Sequence, residues 1–293
     1  MASLRKSVLI TGCSAGGIGA ALAHVFQEKG YHVFASARNP SKIPATLTGA
    51  ANVTSLTLDV LSPSSIAAAV DSVQKKTNSS LDVLINNSGG GYTVPALDAS
   101  ILQGKELFEL NFWAPLAMLQ AFAPLLIKAK GCFVNNSSAN AYIPMPFMSM
   151  YNGSKAALAI ASETWRHELQ PLGVRTITLV TCAVKTNFFA EYHPAELPDS
   201  SQYSDIRDFI RNLTDGRMQG NAISSREYAI RVVREIEKGT VGTVWAGTDA
   251  FMARLAWWLS PRSAFDMIVQ SIIPVSKEMA KAAQKKENQE GAA

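Results

Sequence analysis

The sequence predicts an α/β fold in which a single doubly wound parallel sheet carries helices on both faces. Three observations predict it: short apolar runs, helical patterns between them, and glycines directly after the first run. Because strand and helix alternate from residue 6 to residue 246, right-handed crossovers are expected to place helices on both faces of the sheet. Ligands of such sheets bind at the carboxyl ends of the strands, so functional residues are expected there.

The strands and helices follow one another in a regular order. The first strand is predicted at residues 6–11, which read KSVLIT, and a helix to about residue 29 follows its glycine-rich turn. Ser62 and Pro63 mark the start of a helix near residue 64, because serine caps helices and proline suits their first turn. The other strands are predicted at residues 31–37, 53–58, 83–86, 132–136, 175–180 and 241–246.

All 293 residues are predicted to form a single dinucleotide-binding domain, because no composition shift marks a linker. Polar and charged residues after the sixth strand predict a mobile lid at about residues 187–239. An apolar extension is expected at about residues 247–275. The polar tail at residues 277–293 is expected to fray.

Composition excludes several classes of protein. With 47% hydrophobic and 17% charged residues, the chain can bury a large core, unlike a disordered protein. A net charge of +4 permits an anionic ligand but is far from the basic stripe of a nucleic-acid binder, so no nucleic-acid partner is expected.

The cysteines and histidines predict neither a disulfide framework nor a metal site. Cys13, Cys132 and Cys182 are isolated, which favours a reducing compartment, and the four histidines have no metal-ligand spacing. No cleavable leader and no apolar run of about 18–20 residues is visible, so a cytoplasmic location is expected.

A glycine-rich turn, TGCSAGGIG, joins the first strand to the first helix. Glycines at such a turn let the backbone approach a pyrophosphate, and the N–H groups that begin the helix point at it. The turn therefore predicts a Rossmann-type sheet that binds a dinucleotide. The expected contacts in the turn are Gly12, Ser14, Gly17, Ile18 and Gly19.

The end of the second strand favours NADPH/NADP over NAD. A strand end that binds NAD usually carries an acidic residue, which holds the ribose 2′-hydroxyl. Here the strand ends in Ala37 and Arg38, and a guanidinium suits a 2′-phosphate. An arginine that merely ends a strand is the alternative, but it does not explain the missing acid.

Three motifs, taken in order, resemble the short-chain dehydrogenase/reductase family. The family's turn reads Thr-Gly-x-x-x-Gly-x-Gly, and one extra residue here lets either Gly16 or Gly17 take the middle place. Asn-Asn-Ser-Gly at residues 86–89 resembles the family's Asn-Asn-Ala-Gly, and Asp59 with Val60 matches its adenine-contacting pair. The resemblance implies cofactor contacts at Asp59, Val60, Asn87, Ser88 and Gly89.

A phenol and an ammonium stand four residues apart in YNGSK, at Tyr151 and Lys155. Reduction of a ketone or aldehyde needs a hydride from the cofactor and a proton for the developing alkoxide. A phenol of pKa about 10 exchanges protons poorly near neutral pH, and a nearby ammonium lowers that pKa. Residues four apart share a helix face, so the pair predicts a tuned proton donor beside the cofactor.

The family resemblance implies two further catalytic residues. Ser138, thirteen residues before Tyr151 and next to Ser137, occupies the place of the family's carbonyl-binding serine. Asn111 matches the asparagine whose backbone carbonyl holds a water in the family's proton relay to the lysine. Asparagine is a poor helix former, so its position inside a helical pattern supports a local role.

After the sixth strand the chain reads TCAVKT, where the family often reads Pro-Gly-x-Val-x-Thr. Val184 and Thr186 keep their places and are expected to bind the nicotinamide carboxamide. Thr181 and Cys182 replace the Pro-Gly pair and loosen the turn. Cys182 is not expected to be a nucleophile, because no base is assigned near it.

Apolar side chains around the predicted site indicate a sizeable apolar or aromatic carbonyl substrate, with core packing as the alternative. They are Tyr142, Ile143, Met145, Pro146, Phe147 and Met148 before the tyrosine, and Phe188, Phe189, Tyr192 and Tyr203 in the lid. An acyl-dihydroxyacetone phosphate would instead need lid cations. Those available are Lys185, Arg207, Arg211 and Arg217.

A Trp-Trp pair and a short apolar run at residues 244–266, interrupted by Arg254, suit an interfacial helix or a subunit contact. The tail is similar to that of fungal NADPH-dependent 1-acyldihydroxyacetone-phosphate reductases and related polyketide-pathway reductases. This resemblance implies an NADPH-dependent reductase of lipid or secondary metabolism. A homodimer or homotetramer is expected, and peripheral contact with the endoplasmic reticulum or lipid droplets is an open option.

Alternatives to this reading stay open. Within the family they are 1-acyldihydroxyacetone-phosphate reduction and the oxidation of a secondary alcohol with NADP. Outside it they are a non-catalytic dinucleotide sensor and a peripheral membrane protein that acts through its C-terminal helix. A sensor would have no physical need for the Ser138, Tyr151 and Lys155 set.

Overall fold

A computed structural model describes residues 5–188, 196–216 and 219–290. The strand bounds are β1 Ser7–Ile10, β2 His32–Ala37, β3 Val53–Thr57, β4 Val83–Asn86, β5 Cys132–Ser138, β6 Arg175–Thr181, β7 Val184–Lys185, β8 Ile223–Ser224 and β9 Gly242–Ala246. Within the described residues, seven parallel strands form one sheet in the order β3-β2-β1-β4-β5-β6-β9, which confirms the predicted doubly wound α/β fold. The predicted strands of this sheet differ from the observed ones by at most two residues at their ends.

Helices cover both faces of this sheet. Their bounds are α1 Ile18–Glu28, α2 Ala45–Thr48, α3 Pro63–Thr77, α4 Ile101–Phe108, α5 Ala114–Ala129, α6 Ser149–Leu169, α7 Arg207–Asn212, α8 Ser225–Glu237, α9 Ala250–Leu259, α10 Arg262–Ile272 and α11 Val275–Glu290. Val8 and Ile10 pack in one buried cluster with α1, α2 and α8, whereas Leu9 packs in the other with α3, α5 and α6. Successive strand residues face opposite sides, so a strand buried on both faces reads as a continuous apolar run.

A π-helical turn at Glu109–Trp113 joins α4 to α5. The combined stretch Ile101–Ala129 is, among the described residues, the one helix long and apolar enough by composition to cross a membrane. Met118 and Phe122 are fully buried in the cluster that packs on the sheet. A core helix passes the same composition test, and this stretch packs as one.

Two features of the predicted lid differ from expectation. A second, two-stranded sheet pairs Val184 and Lys185 of β7 with β8, and no periodicity in two-residue strands could have predicted it. The last part of the lid is the helix α8, which packs into the core through Tyr228 and Val232. The predicted lid at residues 187–239 is therefore too long.

The C-terminal tail is helical through residue 290, so the prediction that residues 277–293 fray is wrong over that part. Met279 and Ala282 of α11 pack against an apolar cluster that includes Ile206 and Ile210. Lys286 Nζ lies 2.7 Å from Asp205 Oδ2. The stretch is polar on average, but its few apolar residues fall on one helix face and pack against this cluster.

The predicted apolar extension forms two helices, α9 and α10. Trp257 packs on Tyr142 with ring centroids 5.4 Å apart, which fixes α9 over the segment that follows β5. Trp258 is 79% exposed, and Phe251 and Met267 are also mostly exposed. A subunit contact and an interfacial contact through this surface both stay predictions.

The start of α8 provides a test of the fold. Ser224 Oγ accepts a hydrogen bond from Glu227 N at 3.2 Å, and the Glu227 carboxylate accepts one from Ser224 N at 3.3 Å. We expect Ser224→Ala to lower the free energy of unfolding by about 1 kcal/mol, because a helix N-cap is lost. Urea denaturation followed by circular dichroism measures it. The neighbouring Ser225→Ala keeps the cap and is the control; equal stability of the two variants would contradict the assignment.

Candidate active site

The glycine turn is shaped by its contacts with the segment after β4. Gly12 has φ +73°, and a Cβ atom there would lie 3.0 Å from Ser88 Oγ. A Cβ atom on Gly19 would lie 2.7 Å from Asn87 Nδ2, so only glycine allows this close packing. Gly17 occupies the position before α1, and Gly16, with φ +75°, accepts a hydrogen bond from Asn187 N at 3.1 Å. Gly17 is thus the glycine at the helix start.

Thr11 and Asn87 tie this turn to β4. Asn87 Nδ2 donates to Thr11 O at 2.9 Å and to Gly12 O at 3.2 Å. In return, Thr11 Oγ1 accepts from the backbone N–H groups of Asn87 and Ser88, both at 2.9 Å. The predicted cofactor residues Gly12, Asn87 and Ser88 therefore form one rigid unit.

Side-chain hydrogen bonds continue from Asn87 across the next two strands. Asn136 Nδ2 donates to Asn87 Oδ1 at 3.0 Å, and Thr181 Oγ1 donates to Asn136 Oδ1 at 2.5 Å. Thr181 Oγ1 also lies 2.6 Å from the Tyr228 hydroxyl. We call Thr11, Asn87, Asn136, Thr181 and Tyr228 the polar seam. It crosses the carboxyl ends of β1, β4, β5 and β6, which are neighbours in that order.

Lys155 is attached to the polar seam through the backbone. Its Nζ donates to Asn136 O at 3.0 Å, and the side chain is buried. Burial disfavours the charged ammonium and lowers the pKa of Lys155 to about 8. A Cβ atom on Gly89 would lie 3.3 Å from Lys155 Nζ, so Gly89 leaves room for the ammonium.

Tyr151 lies beside both Ser138 and Lys155. Burial raises the pKa of Tyr151, and a side-chain hydrogen bond to Ser138 opposes part of that rise. Lys155 Nζ lies 5.9 Å from the centroid of the Tyr151 ring. In the chain by itself the pKa of Tyr151 is therefore raised and not lowered as expected, because desolvation of the phenolate outweighs the hydrogen bond.

Ser137 and Ser138, at the end of β5, point to different partners. Ser137 Oγ donates to Lys155 O at 2.9 Å, which holds β5 against α6. Ser138 Oγ accepts from Asn140 N at 3.1 Å and bonds Tyr151. Ser138, and not Ser137, is therefore the serine on the side of the phenol.

Asn111 lies inside the π-helical turn and is fully buried. Its Oδ1 accepts from Gly90 N at 2.9 Å, and its Nδ2 donates to Gly90 O at 3.0 Å and Ser154 Oγ at 3.0 Å. π-helical turns are frequent at functional sites. The Asn111 side chain thus joins the segment after β4 to α6, and a water relay from its carbonyl to Lys155 stays a prediction.

The residues expected to hold the adenosine half lie at the carboxyl ends of β2 and β3. Arg38 is exposed directly after β2. Asp59 Oδ1 accepts a hydrogen bond from Leu61 N at 3.0 Å, and Val60 is buried. This carboxylate therefore shapes the turn before α3.

The two residues expected at the nicotinamide differ in their surroundings. Val184 is buried in β7. Thr186 N donates to Gln219 Oε1 at 3.2 Å, and Gln219 Nε2 lies 3.4 Å from Thr186 Oγ1. Gln219 thus contacts both the backbone N–H and the hydroxyl of Thr186, the residue expected at the carboxamide.

Cys182 carries no sign of nucleophilic chemistry. Burial raises its pKa to about 11, and Asp249 adds to that rise. Cys13 and Cys132 have pKa values raised to about 12, also by burial. All three are thiols at neutral pH, whereas reactive cysteines depend on a lowered pKa.

Apolar side chains border Tyr151 on one side. Met145, Met148, Leu213 and Ile273 form a buried cluster, and Tyr151 packs against it. The Phe188 ring lies 6.5 Å from the Tyr151 ring, centroid to centroid. The predicted lid residues Phe189, Tyr192 and Arg217 lie outside the described residues.

A family model described as short chain dehydrogenase matches residues 6–197. The chain belongs to the short-chain dehydrogenase family. It is therefore an oxidoreductase of a family that uses nicotinamide cofactors and small-molecule substrates, as the resemblance implied.

Two relatives show how far the family likeness extends. The chain is 44% identical to the short-chain dehydrogenase PC-15 of Penicillium crustosum over 256 residues, which span 87% of this chain and 92% of that protein. It is 36% identical to the NADPH-dependent 1-acyldihydroxyacetone phosphate reductase of Schizosaccharomyces pombe over 281 residues, which span 92% of this chain and 94% of that protein. The predicted likeness to fungal members of the family is confirmed.

Solved structures of two short-chain dehydrogenases share the fold. The Burkholderia cenocepacia protein in complex with NADP has a TM-score of 0.70 and 23% identity, and covers 90% of this chain and 97% of its own. The Burkholderia phymatum protein in complex with NAD has a TM-score of 0.69 and 22% identity, and covers 87% of this chain and 93% of its own. The fold is therefore compatible with either nucleotide.

The family motifs do not include every residue that builds this site. Asn136, Thr181, Tyr228 and Gln219 were not predicted, although one signal for Asn136 is present. Asparagine is depleted in strands, so its place in the apolar run of β5 indicates a side-chain hydrogen bond. The partners of Asn136 come from strands and helices distant in sequence, and no local pattern reveals them.

Replacing Thr181 tests the polar seam. Thr181→Val keeps the shape of the side chain but removes the hydrogen bonds from Thr181 Oγ1 to Asn136 Oδ1 and to the Tyr228 hydroxyl. We expect a loss of about 1–2 kcal/mol in the free energy of unfolding, measured by urea denaturation. Thr57→Val replaces an exposed threonine on the edge strand β3 and is the matched control. If both variants were equally stable, the seam would not contribute to the fold.

Proposed function

We propose that this protein reduces a ketone or aldehyde on an apolar molecule with NADPH. One observation carries the proposal: Ser138, Tyr151 and Lys155 lie together at the carboxyl ends of the strands, beside the glycine turn that the polar seam fixes. A non-catalytic sensor would need the glycine turn, but not a buried lysine next to a phenol.

The glycine turn and Arg38 suit NADPH. The first N–H groups of a helix have no partner within it and bind anions, so Gly17, Ile18 and Gly19 would hold the pyrophosphate. No acidic residue stands at the end of β2, where Ser36, Ala37 and Arg38 follow one another. The guanidinium of Arg38 would bind the 2′-phosphate.

When bound, NADPH supplies the hydride. Ser138 would donate a hydrogen bond to the carbonyl oxygen, and Tyr151 would deliver the proton to it. Burial raises the pKa of Tyr151 and keeps its phenol protonated, which is the form that reduction needs. Lys155, with a pKa of about 8, is charged at neutral pH and would stabilise the phenolate that remains.

The surroundings of Tyr151 favour a neutral, apolar substrate. Two lid cations already have carboxylate partners. Arg207 Nη2 lies 3.1 Å from Asp199 Oδ1, and Arg211 Nη1 lies 3.4 Å from Asp208 Oδ1. A phosphate ester would have to compete with these carboxylates. The apolar cluster beside Tyr151, in contrast, offers contacts to a carbon skeleton.

A second candidate substrate is 1-acyldihydroxyacetone phosphate, since the relative from Schizosaccharomyces pombe carries that activity in its name. NADPH oxidation measured with this ester and with aromatic aldehydes distinguishes the two. A Lys185→Ala, Arg207→Ala, Arg211→Ala triple variant should leave the KM of an aldehyde unchanged. If the KM for the ester rises at least tenfold in this variant, the result would favour the ester as the substrate.

Removing the phenol hydroxyl tests the proton donor. We expect Tyr151→Phe to lower kcat by about 10²–10⁴, the usual contribution of general acid catalysis, while the Kd of NADPH stays unchanged. Stopped-flow kinetics and fluorescence titration measure the two. Tyr203→Phe loses a hydroxyl from the lid and is the control. Near-normal turnover by Tyr151→Phe would refute the assigned role.

Reversing the charge after β2 tests the nucleotide preference. Arg38→Asp should lower the ratio of kcat/KM for NADPH over NADH by about 10–100-fold, because charged hydrogen bonds to the 2′-phosphate contribute about 1.5–3 kcal/mol. Arg231→Asp makes the same charge change on the exposed side of α8 and should keep the ratio. An unchanged ratio in Arg38→Asp would overturn the assignment.

A further inference from the structure

The start of the C-terminal helix α11 and the turn that precedes it reach the apolar cluster beside Tyr151. Ile273 is fully buried in that cluster with Met145, Met148 and Leu213, and Val275 packs against it. Ile272, the preceding residue in sequence, is 45% exposed. The chain therefore turns Ile273 inward at the point where α10 ends.

The following turns of α11 hold the lid in place. Met279 and Ala282 pack against the cluster that contains Leu197, Ile206 and Ile210. At the C-terminal end of this contact, Lys286 Nζ forms an ion pair with Asp205 Oδ2 at 2.7 Å. Residues 273–286 thus run from the cluster beside the catalytic tyrosine to the outer side of the lid.

Phe147 connects the two apolar clusters. It packs against both, and its ring meets the Tyr203 ring at a centroid distance of 5.5 Å. Its φ of +65° lies in the left-handed region, which a bulky side chain rarely adopts and which carries strain of about 1–3 kcal/mol. Its carbonyl accepts a hydrogen bond from Val94 N at 2.7 Å. The segment before Tyr151 is therefore held firmly against the lid and α11.

We propose that residues 273–286, a C-terminal strap, form a wall behind the apolar cluster beside Tyr151, and that Ile273 sets the size of carbonyl substrate accepted. The inference rests on the proposed reduction at Tyr151. Ile273 is fully buried in the cluster against which Tyr151 packs, so a smaller side chain would open space toward the phenol and a larger one would push the cluster toward it. The strap also holds the lid helix α7 through the second cluster. It acts on specificity, since none of its residues belongs to the Ser138, Tyr151 and Lys155 set.

Substitutions that shrink and enlarge Ile273 test this wall. The measured quantity is the ratio of kcat/KM for 2-naphthaldehyde over benzaldehyde with NADPH, in which any loss of folded enzyme cancels. We expect Ile273→Ala, which removes three carbon atoms, to raise this ratio at least about tenfold and Ile273→Phe to lower it, since one methylene in an apolar pocket already changes kcat/KM by about tenfold or more. Ile272→Ala should leave the ratio unchanged.

A binding measurement separates the wall from the reaction. Calorimetry with NADP⁺-saturated enzyme gives the Kd ratio of 2-naphthalenemethanol over benzyl alcohol for the same variants. A ratio that shifts in opposite directions for Ile273→Ala and Ile273→Phe, without any turnover, would support the wall and overturn the proposed reduction. Turnover with the wild-type ratio in both Ile273 variants would overturn the wall alone.

Discussion

The site depends on one chain of side-chain hydrogen bonds across the carboxyl ends of four neighbouring strands. Thr11, Asn87, Asn136 and Thr181 each extend from a different strand end, and each bonds the next. Parallel strands with helices on both faces leave these ends without a covering element of their own. The polar seam supplies the missing connections there, and both the glycine turn and Lys155 are fixed to it.

Burial shifts the pKa values of Lys155 and Tyr151 in opposite directions. Burial favours the neutral form of each group. It therefore lowers the pKa of the Lys155 ammonium to about 8 and raises the pKa of the Tyr151 phenol. The phenol is therefore protonated at rest. A lysine in this range can exchange its proton near neutral pH, so one environment would suit both the proton donation proposed for Tyr151 and its reprotonation.

Much of this arrangement could be predicted from the sequence, for local reasons. Buried parallel strands are continuous apolar runs, so their positions were found to within one or two residues. The order of the glycine turn, Ser138, Tyr151 and Lys155 identified the family before any geometry was known. The i, i+4 spacing predicts a lowered pKa for Tyr151, whereas burial raises it in the chain by itself, because desolvation depends on packing that the spacing does not encode. The helix α11 was missed because its few apolar residues acquire a partner only from the lid.

The titration of Lys155 tests this account most directly. In protein without added nucleotide, NMR of the Lys155 side chain assigned through a Lys155→Met variant would report its pKa. The account predicts a value of about 8, since the ammonium is buried against the Asn136 carbonyl. A value near 10.4, that of an unperturbed lysine, would contradict it, because the side chain would then be exposed to water and not held at the polar seam.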